Sequence, residues 1–399
     1  MKRCKAMDKT KKTKWTTFLW DVFMCSLGSY GGPEAHYGVF SSILVKKKKY
    51  ITEEELTEMI GLYALVPGPS STQTITAIGY YIGGPLLALL TFLVWAFPAI
   101  VTMGLIGVFF TQIAANDGWK PIITYLPAVA VAFIIYAAIT LSRKVLKKSF
   151  DYILFVVMLI LGLLLVGYSM WVVPLLLVLG GIIVLFPHLK TKSEVKVSHQ
   201  PKWYILGIVI LLAVFNEGLR AFITAPWVTL YTSFYRYGYS VIGGGQIVVP
   251  LMIQDLVQTQ SLITLNDFLA GYAIDQAIPG PLFSFAAFVS SRSFAGSGFS
   301  FLAGLIGGFS IFLPGILLVF FIFPVWKSTR AIPQMKYFLA GVSVTAASLI
   351  TMTAINQSIE LPVNFAVYAI LVISTLLLLS KKVPAPLIVI LAAILGFLI

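Results

Sequence analysis

What this chain has least of is charge: of 399 residues only 15 are Asp or Glu and 28 Lys or Arg, together 11%. Segments 85–116, 121–142, 152–187, 299–326 and 337–359 contain none of the four. Each meets the length of about 20 apolar residues that spans hydrocarbon. With 59% hydrophobic residues and a mean hydropathy of +0.94, a soluble domain is excluded. Long unbroken apolar runs also exclude a β-barrel, whose strands would read as short alternating segments. An all-α integral membrane protein remains. The three histidines, His36, His188 and His199, are dispersed, and no His-Glu-x-x-His, Gly-x-Ser-x-Gly or Walker loop occurs, so neither hydrolytic chemistry nor an ATP site is expected. Cys4 and Cys25 are the only cysteines. They make neither a disulfide framework nor a metal site, and no cofactor or metal is expected.

The charge that is present is mostly basic, with a formal net of +13. Lys2, Arg3, Lys5, Lys9, Lys11, Lys12 and Lys14 crowd the start, and the other basic residues fall mainly in short loops. Such a distribution speaks for membrane lipids and topology and against nucleic acid. Residues 1–14 read as a basic cytoplasmic tail; a signal peptide is the competing reading, but no small-residue cleavage site closes the apolar run that follows.

Proline marks two equivalent places. Val66-Pro67-Gly68-Pro69-Ser70-Ser71-Thr72 shares its frame with Ile278-Pro279-Gly280-Pro281-Leu282-Phe283-Ser284. Two prolines around a glycine end a helix, because each lacks an N–H and pushes the residue before it out of the α region. Inside apolar segments such a break is tolerated only where protein buries it or it lines a wet cavity, and matching breaks in two halves point to a transporter's central site. A shift of 212 positions also superposes Gly31-Gly32-Pro33 on Gly243-Gly244-Gly245, Ile51-Thr52 on Ile263-Thr264, and Pro121 and Tyr125 on Pro333 and Tyr337. After a slip of about four residues through 290–300, Phe97-Pro98 aligns with Leu313-Pro314. The chain is a duplication.

Its loops reverse their charge between copies. Basic loops 46–49 and 143–148 correspond to 254–267 and 356–360, which hold no Lys or Arg; Lys327, Arg330 and Lys336 correspond to the nearly neutral 114–120, and Lys381-Lys382 to the uncharged 167–170. Under the positive-inside rule the copies lie upside down relative to each other. The basic tail and Lys46–Lys49 both belong in the cytoplasm, so the run between them turns back: 15–27 and 35–45 are each too short to span, with a bend at 28–33. Segments 52–66 and 70–84 form a second such hairpin, started by a capping-box pattern at Thr52 and Glu55, with Thr264 and Asp267 in its twin. About nine full spans (85–110, 121–141, 150–167, 171–187, 203–223, 299–324, 337–355, 362–379 and 384–399) and four re-entrant hairpins result, each hairpin having a kinked crossing as its alternative. The organisation expected is a tail at 1–14, a first repeat at 15–187, a cytoplasmic linker at 188–202, an inverting helix at 203–231 and a second, inverted repeat at 232–399, in the cell membrane with the N-terminus cytoplasmic.

Broken helices at mid-depth present N-termini with roughly half a positive charge and unpaired N–H groups, which suits an anion. Candidate substrate contacts are Pro67, Gly68 and Pro69 with the hydroxyls of Ser70, Ser71 and Thr72; Pro279, Gly280, Pro281 and Ser284; and Gly31, Gly32, Gly243, Gly244 and Gly245 beside Gln246. For any one of them the alternative is a plain cap or packing glycine. An ionised group at membrane depth costs about 3 kcal/mol or more, which makes Glu34, with His36 beside it, and Asp275 candidates for proton coupling. For Glu34 the alternative is to stabilise a helix start. Arg292 either supplies a fixed positive charge or marks the outer headgroup level. Glu217 and Arg220, three apart, read as a local ion pair, and Tyr and Trp near span ends as interface anchors.

The glycine break, the basic loop, Thr-Glu-Glu-Glu, Leu-Val-Pro-Gly-Pro-Ser-Ser-Thr and Gly-Tyr-Tyr-Ile-Gly-Gly, followed by Gly-Gly-Gly-Gln-Ile-Val-Val-Pro and Ala-Ile-Pro-Gly-Pro, resemble the chromate ion transporter family in its long, two-domain form. The resemblance covers nearly all of the chain beyond the tail. It implies secondary transport of chromate, a divalent oxyanion similar to sulfate, usually outward and coupled to a proton or a counter-anion. The partners then expected are that oxyanion, the coupling ion, membrane lipids and, as one option, a second copy in a homodimer. Transport of another anion, of a cation held at Glu34 and Asp275, or a membrane enzyme or scramblase are the rival readings.

Overall fold

The computed structural model describes residues 14–64, 66–116, 120–165, 168, 172–189, 203–223, 225–241, 248–325 and 333–398. Gly243, Gly244, Gly245 and Gln246 lie outside them, as do the tail before residue 14 and the linker at 190–202. The first half consists of α1 (Trp15–Gly28), α2 (Pro33–Phe40) running into a π-helical turn (Ser41–Lys47), α3 (Glu53–Tyr63), α4 (Ser70–Ala115), α5 (Lys120–Val145), α6 (Ser149–Leu165) and α7 (Val172–Leu185). After α8 (Trp203–Phe222), the order repeats as α9 (Pro226–Ser240), α10 (Val248–Met252) with its own π-helical turn (Ile253–Thr259), α11 (Leu265–Ala277), α12 (Phe285–Ser293), α13 (Ser300–Ser310), α14 (Leu313–Ile322), α15 (Pro333–Glu360), α16 (Phe365–Ser380) and α17 (Ala385–Leu398). Even the π turns stand 212 residues apart.

The protein is a multi-pass helical membrane protein. Among the described residues five stretches are long and apolar enough to cross a membrane: α4, 123–145 of α5, α8, the α13–α14 pair and 336–360 of α15; α6, α7, α16 and α17 are shorter apolar helices. The exposed faces of α6 (Ile153, Val156, Ile160, Leu164) and α8 (Ile210, Leu211, Val214, Phe215) present the branched apolar surface that hydrocarbon accepts.

Local chemistry sets the breaks. Thr52 accepts a hydrogen bond from Glu55 N–H at 3.1 Å while Glu55 accepts from Thr52 N–H at 2.8 Å, so the capping box that starts α3 is formed. Thr264 accepts from Asp267 N–H at 3.2 Å in the twin. α4 loses helical geometry at Gly83 and Gly84, the latter at φ +77°, and its limbs 70–82 and 85–115 fold back on each other, with Trp95 Nε1–H donating to Thr72 Oγ1 at 3.1 Å.

Short helices pair as hairpins. Tyr81 O–H donates to Glu55 Oε1 at 2.9 Å, which ties the start of α3 to the far end of the limb 70–82 and leaves Pro67-Gly68-Pro69 at the tip. With 11 residues, α3 is about 16 Å long, half of a hydrocarbon core of about 30 Å. In the α1–α2 pair, Asp21 binds Lys48 Nζ at 2.9 Å and the Tyr50 hydroxyl at 2.6 Å. In the second half Arg292 Nε meets Asp267 Oδ2 at 2.9 Å, closing the open end of α11 and α12.

The tips cross between halves. Gly68 N–H donates to Val241 C=O at 2.7 Å and Gly280 N–H to Ser29 C=O at 2.8 Å; donors and acceptors are each 212 positions apart. Such an exchange of roles is what a two-fold relation between the copies produces. The glycines stand at φ +123° and +135°, a backbone that L side chains rarely adopt. Beneath them α5 and α15 form the packed centre, α15 lying against α5, α6 and α7, and α5 against α16 and α17.

Candidate functional site

Two helix starts meet beside the first tip. α2 begins after Gly32 (φ +103°) and α4 after Pro69, and no side chain caps either one. Their first turns therefore keep backbone N–H groups available, and each end carries roughly half a positive charge. Side chains bridge them: His36 Nδ1 and Ser71 Oγ are hydrogen bonded at 3.0 Å, and Tyr37 O–H donates to Ser70 Oγ at 3.0 Å. Trp95 sets its ring edge-on to His36, with centroids 5.4 Å apart, while its N–H holds Thr72. His36 is fully buried, and its Nε2 has no hydrogen-bond partner among the described residues. A buried nitrogen in that position is a costly group to leave unmet, unless a ligand or water completes it.

Gln73 fixes this tip to the other half. Its Nε2 donates to Pro67 C=O at 2.8 Å and to Gly315 C=O on α14 at 3.1 Å. A Cβ on Gly68 would stand 2.9 Å from Gly315 Cα, and one on Gly280 would stand 2.5 Å from Ala99 Cβ. Both tips thus press on spans of the opposite copy, each beside a proline, Pro314 for the first and Pro98 for the second.

The second tip is built differently. Where the first has Ser70, Ser71, Thr72 and Gln73, it has Leu282, Phe283, Ser284 and Phe285, all buried. Ser284 O–H donates to Asp275 Oδ1 at 2.7 Å, and both Asp275 Oδ2 and Gln276 Nε2 lack partners among the described residues. Pro279, Gly280 and Pro281 stand at this second tip as Pro67, Gly68 and Pro69 do at the first.

Of the residues singled out from sequence, the structure brings together His36, Ser70, Ser71 and Thr72 at the first tip, and Asp275 with Ser284 at the second. Gly31 approaches Ala385 of α17. Glu34 lies in the first turn of α2, its side chain outside what is described. Gly243, Gly244, Gly245 and Gln246 are likewise outside. Arg292 is placed against Asp267, at the mouth of its hairpin. Tyr37 and Trp95 join the site although sequence treated such residues as anchors. Their signal was positional: Thr72 and Trp95 stand equally far from the Gly83–Gly84 break, as partners across a helical turn-back must.

One expectation is corrected. Glu217 and Arg220 do not serve each other. Glu217 takes a bidentate pair from Arg236 (2.7 and 2.9 Å) and a bond from Tyr239 O–H (2.9 Å), whereas Arg220 reaches Asp255 Oδ1 at 3.4 Å. Asp255 is fully buried and also accepts from Tyr237 and Gln260. A carboxylate on the π turn that follows α10, packed against α9, outcompetes a neighbour on the same helix, because it is desolvated and bound by several donors at once.

The family model of the chromate transporters matches residues 16–185 and again 228–397, two matches that begin 212 residues apart. An uncharacterized transporter of Methanocaldococcus jannaschii is 24% identical over 408 residues, covering all of this chain and 98% of that protein. A probable chromate transport protein of Synechococcus elongatus is 25% identical over 92% of this chain and 91% of its own length, and a chromate transport protein of Cupriavidus metallidurans 26% identical over 94% and 91%. No solved structure matches the chain. A duplicated family match over most of a chain whose helices break where the two copies cross leaves one assignment: this protein belongs to the chromate transporter family, a family of membrane transport proteins rather than of enzymes.

Proposed function

We propose that the chain is a secondary active transporter of chromate and of sulfate-like divalent oxyanions, working outward by exchange with protons or a counter-anion. The observation that carries this reading is the meeting of two uncapped helix starts, α2 and α4, lined by Ser70, Ser71, Thr72 and His36, with no carboxylate in the hydrogen-bonded group among the described residues. Their N–H groups and hydroxyls supply donors around a tetrahedral dianion, and their dipoles supply charge without a basic side chain. The charge reversal of the loops supports an inverted arrangement, in which the two-fold axis lies in the membrane plane, the four hairpins are re-entrant, nine helices or helix pairs span, and the N-terminus is cytoplasmic. In this arrangement both tips sit near mid-depth, consistent with the length of α3. Glu34, His36 and Asp275 are the proton-coupling groups: Asp275, held by Ser284 through one oxygen only, is suited to carry a proton on the other. Gly31, Gly32, Gly68, Gly280, Gly243, Gly244, Gly245 and Gln246 supply backbone or amide contact, and Arg292 a remote positive charge.

The test is chromate and sulfate flux in proteoliposomes, with and without a pH gradient, for the wild type, Ser71→Ala and Glu34→Gln. Flux of either anion that falls in Ser71→Ala, and loses its pH dependence in Glu34→Gln, is the expected outcome. Flux unchanged in both variants rejects the site, and no flux of either anion rejects the substrate class.

A further inference from the structure

The two copies share a fold but not a state of packing. α11 lies against α5 and α17, and α10 against α15; their counterparts do not reproduce this, for among the described residues α3 has no comparable packing on α15 or α7, nor α2 on α5. The difference is visible residue by residue. Leu269, Ala273 and Gln276 of α11 are buried, whereas Thr57, Gly61 and Ala64, each 212 positions earlier, are exposed. On the receiving helices Ala128 of α5 is buried and Ala340 of α15 exposed. Pro250 and Gln254 are buried, but Gly38 and Ser42 are exposed. A Cβ added at Gly38 or Gly61 would meet nothing within 4 Å.

Lipid is the wrong neighbour for this uncovered surface. Along α3 it consists of Glu54, Thr57, Gly61 and Ala64, small or charged residues at a depth where hydrocarbon penalises polar groups. The lipid-facing sides of α6 and α8 carry Ile, Leu, Val and Phe instead. The surface therefore borders water. It runs the length of α3, from its first turn to Ala64 beside the proline tip, and so joins the mouth of the first hairpins to the helix starts at Ser70.

We infer that the structure holds one of two packings which the copies exchange during turnover: the second copy's hairpins closed on α5, α15 and α17, the first copy's standing off α15 and α7 along an aqueous crevice. This rests on the transporter reading above, and with the sidedness proposed there the crevice opens to the cytoplasm. In the alternate state Thr57, Gly61 and Ala64 close on the face of α15 that carries Ala340, and Leu269, Ala273 and Gln276 leave α5. The two-fold relation supplies the reason: each half-sequence already demonstrates that the same fold is stable in one of the two packings, and a ligand that favours one shifts the population.

The test is single-cysteine labelling of the full chain in proteoliposomes, in a Cys4→Ser, Cys25→Ala background. Gly61→Cys and Ala340→Cys are expected to react with a membrane-impermeant maleimide from the cytoplasmic face on the order of tenfold faster than Ala273→Cys and Ala128→Cys react from either face, since the buried pair reacts only in the minor packing. Imposing opposite anion gradients should move the Gly61→Cys and Ala273→Cys rates in opposite directions. Thr57→Cys and Leu269→Cys repeat the comparison should a first pair fold poorly. Equal labelling of the two copies, or rates that rise and fall together, overturns the exchange. The flux assay reads the substrate separately: opposite rate changes without chromate or sulfate flux discard the substrate and keep the exchange, whereas intact flux with invariant labelling discards the exchange alone.

Discussion

Replacement of Gly280 by alanine separates two costs that the second tip carries. The first is backbone: at φ +135° a residue with a Cβ is held in a region that costs on the order of 1–3 kcal/mol. The second is steric: the new Cβ would stand 2.5 Å from Ala99 Cβ, against an ordinary carbon contact of about 3.5–4.0 Å, so α4 and the tip must separate by about 1 Å. Overpacking of that kind costs about 1–3 kcal/mol. Together about 2–6 kcal/mol is at stake, a large share of a typical stability of about 5–15 kcal/mol. Ala99→Gly should recover only the steric part, because the next atom, Ala99 Cα, lies at 3.8 Å. The assay is denaturant unfolding of the detergent-solubilised wild type, both single variants and the double variant. A coupling of about 1–3 kcal/mol is expected, with the double variant still below Ala99→Gly alone. Strict additivity would mean that the second tip does not press on α4 at Ala99, and the crossing of the two copies would be refuted at that point. At the first tip no such rescue exists for Gly68→Ala, whose obstacles at 2.9 Å are Gln73 Nε2 and the backbone Cα of Gly315, which no substitution removes.

Ser71→Ala leaves both nitrogens of buried His36 without a partner among the described residues, so a stability loss of about 1–3 kcal/mol should accompany the fall in anion flux; unfolding and flux measured on the same preparation check it. Trp95→Phe keeps a ring beside His36 but removes the N–H that holds Thr72, and a loss of about 1 kcal/mol should show as roughly fivefold weaker apparent anion affinity with the fold intact by circular dichroism. Arg236→Met strips Glu217 of two charge-assisted bonds in a pair that is 4% exposed on the arginine side and 32% on the glutamate side, so the cost should reach the lower end of about 3–5 kcal/mol. Lys48→Met removes a partner that is 33% exposed and should cost no more than about 1 kcal/mol; equal losses in these two variants would contradict the ranking by burial.

How much of this was legible in sequence follows from which interactions are local. Proline, glycine and caps act within a few residues, so the break at Pro67-Gly68-Pro69, the boundary between 70–84 and 85–110 and the start of α3 at Thr52 could be read directly, and the structure has them in place, the boundary as a kink at Gly83 and Gly84. The duplication was legible because its landmarks recur at one offset, and the family matches repeat that offset. Ion-pair partners were not legible: Glu217 and Arg220 satisfy helical spacing, yet the choice of Arg236 and Asp255 depends on how α8 lies against α9, which no local rule fixes. The same holds for Gln73, whose bond to Gly315 spans the two copies.

Divergence between the copies also bears on the proposed ligand site. At the hairpin mouths the first copy uses the ion pair Asp21–Lys48, while the equivalent positions Ser233 and Gln260 are neutral and meet through Gln260 Nε2 at 3.3 Å; either solution closes a hairpin, so either is tolerated. At the tips the exchange is not neutral. Leu282, Phe283 and Phe285 seal the second tip by burial, whereas Ser70, Ser71, Thr72 and Gln73 occupy the first with donors and acceptors at the same depth. A buried hydroxyl contributes less to packing than the apolar side chain its twin employs, and an unmet one is destabilising. Two hydroxyls and an amide where the second copy has Leu282, Phe283 and Phe285, beside a buried histidine whose Nε2 has no partner among the described residues, are the reason the proposed anion site is assigned to the first copy.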